Sequence, residues 1–245
     1  MTTEDATDTG AVSVVLQSEP TGDVTVSLDI IGADQLEGAF DALGSVFATT
    51  VGPFTSTNWD TPQTVTIYGV DELIDDGNQN FTVVTSSSTS TDSNYSLTGT
   101  TIADALLTNQ DDDQAGFVVT SSDNETSEAG DTAVVTITPT SAPTAPVTIP
   151  VGISDTTEGS INLTSVLIPA GGPTPVNVTI TGLDDIELDI DVIYQLVFGD
   201  PTSTDPIYDA FVTGDIASQN IVNLDDDDTD NDGNPNSEED AGNNG

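Results

Sequence analysis

The side chains that could do chemistry in this chain are carboxylates, and they recur at matching positions of two sequence repeats. Loop carboxylates that converge on one point repel one another, so they persist together only where a cation compensates them. Ca²⁺ takes 6–8 oxygen ligands from carboxylates and carbonyls. The second repeat supplies Glu128, Asp155, Glu158, Asp184, Asp185, Glu187, Asp225, Asp226 and Asp227. The first repeat supplies Glu4 or Asp5, Asp34 or Glu37, Asp71, Glu72, Asp111, Asp112 and Asp113.

These positions predict a Ca²⁺ site at one end of each repeat. The alternative is that they are ordinary polar loop residues on a very acidic protein. The recurrence of acidic residues at the same places in both copies favours the metal.

A second calcium signal lies in the C-terminal tail, which fits the pattern D-x-[DN]-x-[DN]-G-x₅-E at every fixed position. Gly233 permits the sharp turn of such a loop. No amphipathic helices flank it, so the tail resembles the Asp-rich loops of thrombospondin type 3 repeats more than a helix–loop–helix EF-hand. The alternative is a solvated acidic linker. The predicted ligands are Asp228, Asp230, Asp232, the carbonyl of Asn234, Asn236 directly or through water, and Glu239.

The composition excludes several classes of function. The chain has 245 residues, 43 Asp plus Glu, and no Lys, Arg, His or Cys, for a formal net charge of -43. Such a chain has no basic patch for nucleic acid, no imidazole base and no thiolate. Two carboxylates suffice for glycoside hydrolysis, but Trp59 is the only tryptophan for sugar stacking and no carboxylate is set apart as the acid. We therefore predict that the chain is not an enzyme.

The elements that must position the carboxylates are arranged in two copies. Residues 20–26 match residues 143–149, and residues 61–71 match residues 174–184. The predicted domains are repeat 1 over 1–113, repeat 2 over 114–227, and an acidic tail over 228–245. The first copy has about ten extra residues, which fall within 40–58 and are interpreted as a longer loop.

Each copy has the alternation of half-buried strands, with Val, Ile and Leu at every second position and Thr or Ser between them. Turn-forming residues recur at the spacing of a β-sandwich, and no helical periodicity persists. The prediction is all-β: two antiparallel β-sandwiches in tandem, followed by the Asp-rich tail. No apolar run is long enough to insert into a membrane.

Repeat 2 begins with a clear strand at residues 115–120, whereas the counterpart in repeat 1 would precede Met1. Repeat 1 is therefore predicted to have no first strand of its own. One interpretation is a cut in a longer chain of neighbouring repeats. The other is that another copy supplies the strand by β-augmentation, which would give a homopolymer.

The order of these motifs resembles the Calx-β repeat family. The resemblance rests on the strand after Pro143, on TPQTVTIYGVDELID and TPVNVTITGLDDIE, on the regions of Tyr95 and Tyr208, and on the closing Asp runs. It covers about 220 of the 245 residues. It implies an immunoglobulin-like sandwich that binds Ca²⁺ at one end through the early Glu, the acidic pair after the middle strand and the Asp run. The sequence departs from it at the absent first strand, and Leu188 stands where repeat 1 has Asp75.

Bacterial members of that family are similar to tandem pieces of large surface and adhesion proteins. We therefore expect an extracellular, cell-surface structural module that Ca²⁺ makes rigid, in an adhesion or filament-forming protein. One alternative is a glycan- or receptor-binding module that uses the loop at 40–59. A further alternative is an acidic, cation-sequestering matrix protein.

Overall fold

The computed structural model describes residues 1–5, 7–32, 37–40, 49–98, 102–184 and 191–225. The chain divides into two compact units, Met1–Glu72 with Asp76–Asp112, and Leu73–Asp75 with Asp113–Gly245. The strands of the first unit are β1 (Thr2–Thr3), β2 (Gly10–Val14), β3 (Val24–Gly32), β4 (Gly38–Ala39), β5 (Thr49–Phe54), β6 (Gln63–Gly69), β7 (Gln79–Ser90), β8 (Leu97–Thr98) and β9 (Ala105–Gln110).

The first unit is a sandwich of two sheets. One sheet has the order β1-β9-β7-β3-β5, with β8 also paired to β7, and the other has the order β2-β6-β4. Strand β3 alternates strictly, so that Val24, Val26, Leu28 and Ile30 face inward with at most 5% of their surface exposed. They pack with Ile67 of the opposite sheet. Burial of these apolar side chains is the main stabilising contribution.

The second unit repeats this plan. Its elements are β10 (Phe117–Ser121), β11 (Glu125–Ser127), β12 (Thr132–Pro139), β13 (Val147–Ile153), β14 (Gly159–Ile161), β15 (Ser165–Ile168), β16 (Val176–Gly182), β17 (Val192–Phe198), a 3₁₀ turn (Tyr208–Ala210) and β18 (Gln219–Leu224). One sheet has the order β10-β12-β16-β14 and the other β11-β18-β17-β13-β15. Val135, Ile149, Val178 and Leu196 are fully buried between the two sheets.

The prediction of two tandem β-sandwiches is confirmed, with two corrections. The sandwiches are not wholly antiparallel, because β1 pairs with β9 and β11 pairs with β18 in parallel. The segment predicted as a longer loop contains β5, which pairs with β3 and buries Val51 and Phe54 in the core. Thr, Gly and Pro stand among these apolar residues, so the segment lacks the strict alternation that predicts the other strands. Trp59, just beyond β5, packs against the same core.

Among the described residues, the 3₁₀ turn is the one helical element, and no helix there is long and apolar enough to cross a membrane.

Candidate metal centre

A short parallel pairing places the first carboxylate of unit 1. Thr2 of β1 lies beside Asn109 of β9, and the Glu4 amide donates to the carbonyl of Gln110 at 3.1 Å. Because β1 runs in the same direction as β9, the residues that follow the two strands lie at the same end of the sandwich. Glu4 and Asp111, which follow these two strands, have carboxylate oxygens within 4.8 Å of each other.

The carboxylate of Glu4 lies at the centre of an acidic cluster. The Glu4 side chain is 0% exposed. Its oxygens come within 4.8 Å of carboxylate oxygens of Glu72 and Asp76, which follow β6. Oε2 of Glu4 is buried and accepts no hydrogen bond from any residue that the structure describes. A buried polar atom without a partner costs about 1–3 kcal/mol, and more where the group is charged, so this oxygen is positioned for a cation.

Asn109 joins the buried carboxylates to the backbone. Its Nδ2 donates to the carbonyl of Val70 at 3.1 Å and makes longer contacts with Glu4 Oε1 at 3.5 Å and Glu37 Oε2 at 3.4 Å. Its Oδ1 accepts from the hydroxyl of Thr2 at 2.9 Å. A side-chain amide has two N–H protons, and here it faces three acceptors. The carboxylate of Glu4 is therefore only weakly compensated by protein donors.

This environment raises the pKa of Glu4 to about 8, because burial removes water from the carboxylate and the charges of Asp111, Glu72, Glu37 and Asp76 oppose its ionisation. The carboxyl of Glu4 is therefore largely protonated at pH 7 when no cation is bound. A bound divalent cation reverses the sign of the local potential and favours the ionised form.

The second unit repeats the parallel pairing and the buried asparagine, although no three carboxylates among its described residues have oxygens within 4.8 Å of one another. Thr126 of β11 lies beside Asn223 of β18, and the Glu128 amide donates to Leu224 O at 3.1 Å. Asn223 Nδ2 donates to Leu183 O at 3.1 Å and contacts Glu158 Oε2 at 3.4 Å. The acidic side chains around it are buried, with exposures of 5% for Glu128, 5% for Glu158 and 6% for Asp225.

One glycine in each unit permits the close approach of these strands. A Cβ at Gly69 would overlap the carbonyl of Thr3 and Oδ1 of Asn109. A Cβ at Gly182 would overlap the carbonyl of Ser127 and Oδ1 of Asn223. The backbone of β6 or β16 therefore packs directly against the segment that carries the first glutamate, which needs a residue without a side chain.

The structure brings together only part of the predicted ligand set. Glu4, Glu72 and Asp111 lie together in the first unit with Glu37 close by, and Glu128, Glu158 and Asp225 are buried in the second. Asp5, Asp71, Asp112, Asp155 and Asp184 are exposed, and Asp113 is the first residue of the longer segment of unit 2. Outside the described residues lie Asp34, Asp185, Glu187, Asp226, Asp227, Asp228, Asp230, Asp232, Asn234, Asn236 and Glu239.

Asp155 is a clear case of a predicted ligand with a local role. Its Oδ1 accepts from the Thr157 hydroxyl at 2.6 Å and from the Thr157 amide at 3.0 Å. These bonds lower the pKa of Asp155, the hydroxyl contributing most. They stabilise the turn that leads to Glu158.

Three residues of the site were missed from the sequence. Asp76 was assigned only to a turn, although its carboxylate lies beside Glu4. Asn109 and Asn223 were not predicted, because an uncharged amide does not stand out in so acidic a sequence. A signal existed: each asparagine stands two residues before the closing Asp run, in Asn109-Gln-Asp111 and in Asn223-Leu-Asp225.

No family model and no curated protein matches the sequence. Solved structures to which the chain is similar include the CBD12 segment of CALX1.2, at 15% identity and a TM-score of 0.35, covering 83% of this chain and 78% of that one. The calcium binding domain CBD12 of CALX1.1 has 14% identity and a TM-score of 0.34, covering 82% and 77%. WR4, an MSP family member of C. elegans, has 14% identity and a TM-score of 0.31, covering 45% and 98%. Values this low do not establish a family.

Proposed function

We propose that this chain is a calcium-binding β-sandwich protein in which Ca²⁺ neutralises the buried carboxylates at one end of each unit and so makes the fold rigid. The observation that carries the proposal is the Glu4 carboxylate, fully buried, with Oε2 unpaired among the described residues, beside Glu72, Asp76 and Asp111. A hard divalent cation with a preference for many oxygen ligands fits this set. No Lys or Arg exists in the chain to take its place.

The second unit supports the same interpretation. Glu128, Glu158 and Asp225 occupy the sequence positions of Glu4, Glu37 and Asp111, and Asn223 contacts Glu158 and a backbone carbonyl as Asn109 contacts Glu37 and Val70 O. Two separate parts of the sequence therefore bury acidic side chains at equivalent positions near an equivalent asparagine. Surface acidity that only keeps a protein soluble has no need to bury glutamates in equivalent places.

The proposed setting is extracellular, on a cell surface or in a filament, where the protein serves as a structural or adhesion module. Extracellular Ca²⁺ modules work with Kd values of about 10⁻⁴–10⁻³ M, which suits sites that must stay filled outside the cell. A net charge of -43 opposes compaction until cations bind. The location is testable by digesting intact source cells with proteinase K, since the chain offers trypsin no Lys or Arg to cleave.

Calorimetric melting of the full chain tests the calcium proposal. The Tm should rise with CaCl₂ and fall on chelation, because a ligand that binds only the folded state stabilises it by RT ln(1 + [L]/Kd). Comparison with MgCl₂ and with about 1 M NaCl, where the Debye length is roughly 3 Å, separates site binding from general screening. A Tm that NaCl raises as much as CaCl₂ does would contradict the proposal.

Glu4→Gln provides the matched variant, because glutamine keeps the shape of the side chain and removes its charge. The variant should keep its fold and lose the calcium response of unit 1. Trp59, the only tryptophan, packs against the core of that unit, so its fluorescence reports the unfolding of unit 1. An unaltered calcium response of Trp59 fluorescence in Glu4→Gln would exclude Glu4 as a ligand.

A further inference from the structure

The two units differ at one edge of the corresponding sheets. In unit 2 the outer edge of β12 is covered by β10, with Phe117 opposite Pro139 and Ser121 opposite Val135. In unit 1 the equivalent strand is β2, which pairs with β6 on one side. On its other side, no strand among the residues described in unit 1 pairs with β2.

The registers of the two sheets establish the equivalence. Val12 pairs with Val65 in unit 1, and Val135 pairs with Val178 in unit 2, at matching places in the two repeats. Val14 corresponds in the same way to Ile137. Val135 and Ile137 are 0% exposed, whereas Val12 and Val14 are only half-buried. Their inward positions are therefore incompletely covered.

A groove of about 710 Å³ lies beside these residues, lined by Val12, Val14, Val26, Leu28, Val83 and Tyr95 among others. The lining also includes polar side chains, and a cleft of this size is large enough to bury several side chains. Interiors of folded domains are normally close-packed, without voids of this kind. The lining comes entirely from the first unit.

The second unit shows what fills the equivalent space. Phe117 and Val119 of β10 pack against the core there, and the Phe117 ring meets the Tyr208 ring edge-on with a centroid separation of 5.4 Å. Tyr95 is the counterpart of Tyr208. Its hydroxyl donates to Ser18 O at 2.8 Å, as that of Tyr208 donates to Ser141 O at 2.8 Å. Tyr208 is 1% exposed under Phe117, whereas Tyr95 is half-buried in the open groove.

We propose that this groove of unit 1 binds an extended polypeptide strand with the chemistry of β10, paired antiparallel to β2. In the register of unit 2, the aromatic residue of the strand lies opposite Leu16 and contacts Tyr95. The apolar residue two positions later lies opposite Val14, and a small polar residue lies opposite Val12. Backbone hydrogen bonds along the β2 edge give affinity, and the two inward side chains give specificity.

The charge of the chain restricts the occupant further. Residues 115–121, which form and precede β10, carry no charged side chain. Glu19 and Asp92 line the groove. With a net charge of -43 on the chain, an acidic strand is repelled, so the occupant is neutral or basic.

The donor strand belongs to another polypeptide segment, because the β10 of this chain already pairs with its own β12. Among the described residues there is no second, unpaired strand of this type that one copy could donate to another. Strand donation between copies is therefore not supported as a route to a homopolymer. The occupant consistent with this pairing is a β10-like segment of a further repeat of this type. The proposal is independent of calcium, and the tests are therefore made with CaCl₂ held at saturation.

A labelled synthetic peptide with the sequence of residues 114–122 tests binding in trans by fluorescence anisotropy. Saturable binding to the full chain is expected. A peptide in which the position of Phe117 carries Asp should bind at least about tenfold more weakly, because a buried charge replaces the aromatic contact. Val14→Asp in the full chain should weaken binding of the original peptide to a similar extent.

A covalent version tests the same groove without depending on peptide solubility. The sequence of residues 115–124 is placed directly before Met1, since Thr2 corresponds to Thr126 and Met1 therefore to Glu125. The midpoint of thermal unfolding reported by Trp59 should rise by about 5 °C or more. A matched extension with Asp at the positions of Phe117 and Val119 should give no rise.

Two outcomes would overturn the proposal. The first is the absence of both peptide binding and stabilisation by the extension. The second is a concentration-dependent dimer of the unmodified chain that Phe117→Asp abolishes, because the groove would then be filled by exchange of β10 between two copies. Sedimentation velocity of the chain at several concentrations separates this case from a monomer that accepts the peptide.

Discussion

Glu4 and Asn109 are connected by one long hydrogen bond, 3.5 Å from Asn109 Nδ2 to Glu4 Oε1, and both side chains are 0% exposed. The bond is long because the amide group also serves Val70 O and Glu37 Oε2. The asparagine therefore holds the acidic residues in place without neutralising them. Asn223 holds Glu158 in the second unit with the same geometry.

Replacing Asn109 should destabilise unit 1 strongly. Asn109→Ala removes the donor to Val70 O and leaves buried oxygens unpaired, with an expected loss of about 2–3 kcal/mol in the free energy of unfolding. Asn109→Asp should be worse in the absence of Ca²⁺, because it adds a negative charge to the cluster. Urea unfolding followed by Trp59 fluorescence measures both effects.

The matched control for that prediction is Thr108→Ala on the same strand. Thr108 donates to Asn80 at 2.7 Å in an exposed pair, so its removal should change stability by less than about 0.5 kcal/mol. Equal effects of Thr108→Ala and Asn109→Ala would show that the position in β9, and not the buried amide, matters.

The raised pKa of Glu4 predicts an unusual pH dependence of the calcium-free protein. A carboxyl whose pKa rises from 4.5 unfolded to about 8 folded binds more protons in the folded state between these values. Its contribution to stability is therefore complete below pH 4.5 and is lost as the pH rises through 8. The difference in unfolding free energy between the wild type and Glu4→Gln, measured from pH 5 to 9 in chelator, should show this trend. A difference that is constant with pH would contradict the raised pKa.

The same group predicts how pH affects calcium binding. Below pH 8 the cation must displace the Glu4 proton, so the affinity of the unit 1 site should rise by up to about tenfold for each pH unit. Above pH 8 the affinity should level off. Calorimetric titrations in buffers of different ionisation enthalpy count the protons released. The absence of any proton release at pH 7 would contradict this coupling.

Gly182→Ala should disrupt the second unit. The added methyl overlaps the carbonyl of Ser127 and Oδ1 of Asn223, so strands β11 and β16 must separate. The expected cost is about 3 kcal/mol. The loss of stability should appear in the unfolding of unit 2. Circular dichroism detects that unfolding, whereas the fluorescence of Trp59 reports on unit 1. Gly172→Ala is the control, because its nearest neighbour, Thr174 Oγ1, would lie 4.0 Å from the new methyl group.

The second unit also separates a buried glutamate from an exposed aspartate close in sequence. Glu158→Gln should lower the calcium affinity of unit 2 by at least about tenfold, since it removes a charge beside Asn223. Asp155→Asn should have a much smaller effect, because Asp155 is exposed and accepts hydrogen bonds from Thr157. Isothermal titration of both variants, with a melting curve to verify folding, decides between these roles.

The β-sandwich was predictable because period-2 alternation is a local property, in which every second residue of a strand faces the core. The alternation over Val24–Gly32 and Val176–Gly182 is visible in the sequence and corresponds to β3 and β16. Strand β5 was not visible, because Gly and Thr dilute its apolar residues and only pairing with β3 gives it a structure.

The sequence by itself determined that the chemistry is that of oxygen ligands, since the chain has no Lys, Arg, His or Cys side chain. It also placed acidic residues at corresponding points of two repeats. Only the tertiary structure decided which carboxylates are buried together. A parallel pairing of two residues brings Glu4 beside a strand about a hundred residues later in the chain, and burial there raises its pKa to about 8. Such a pairing has no local signature, because desolvation depends on which distant segments pack around the group.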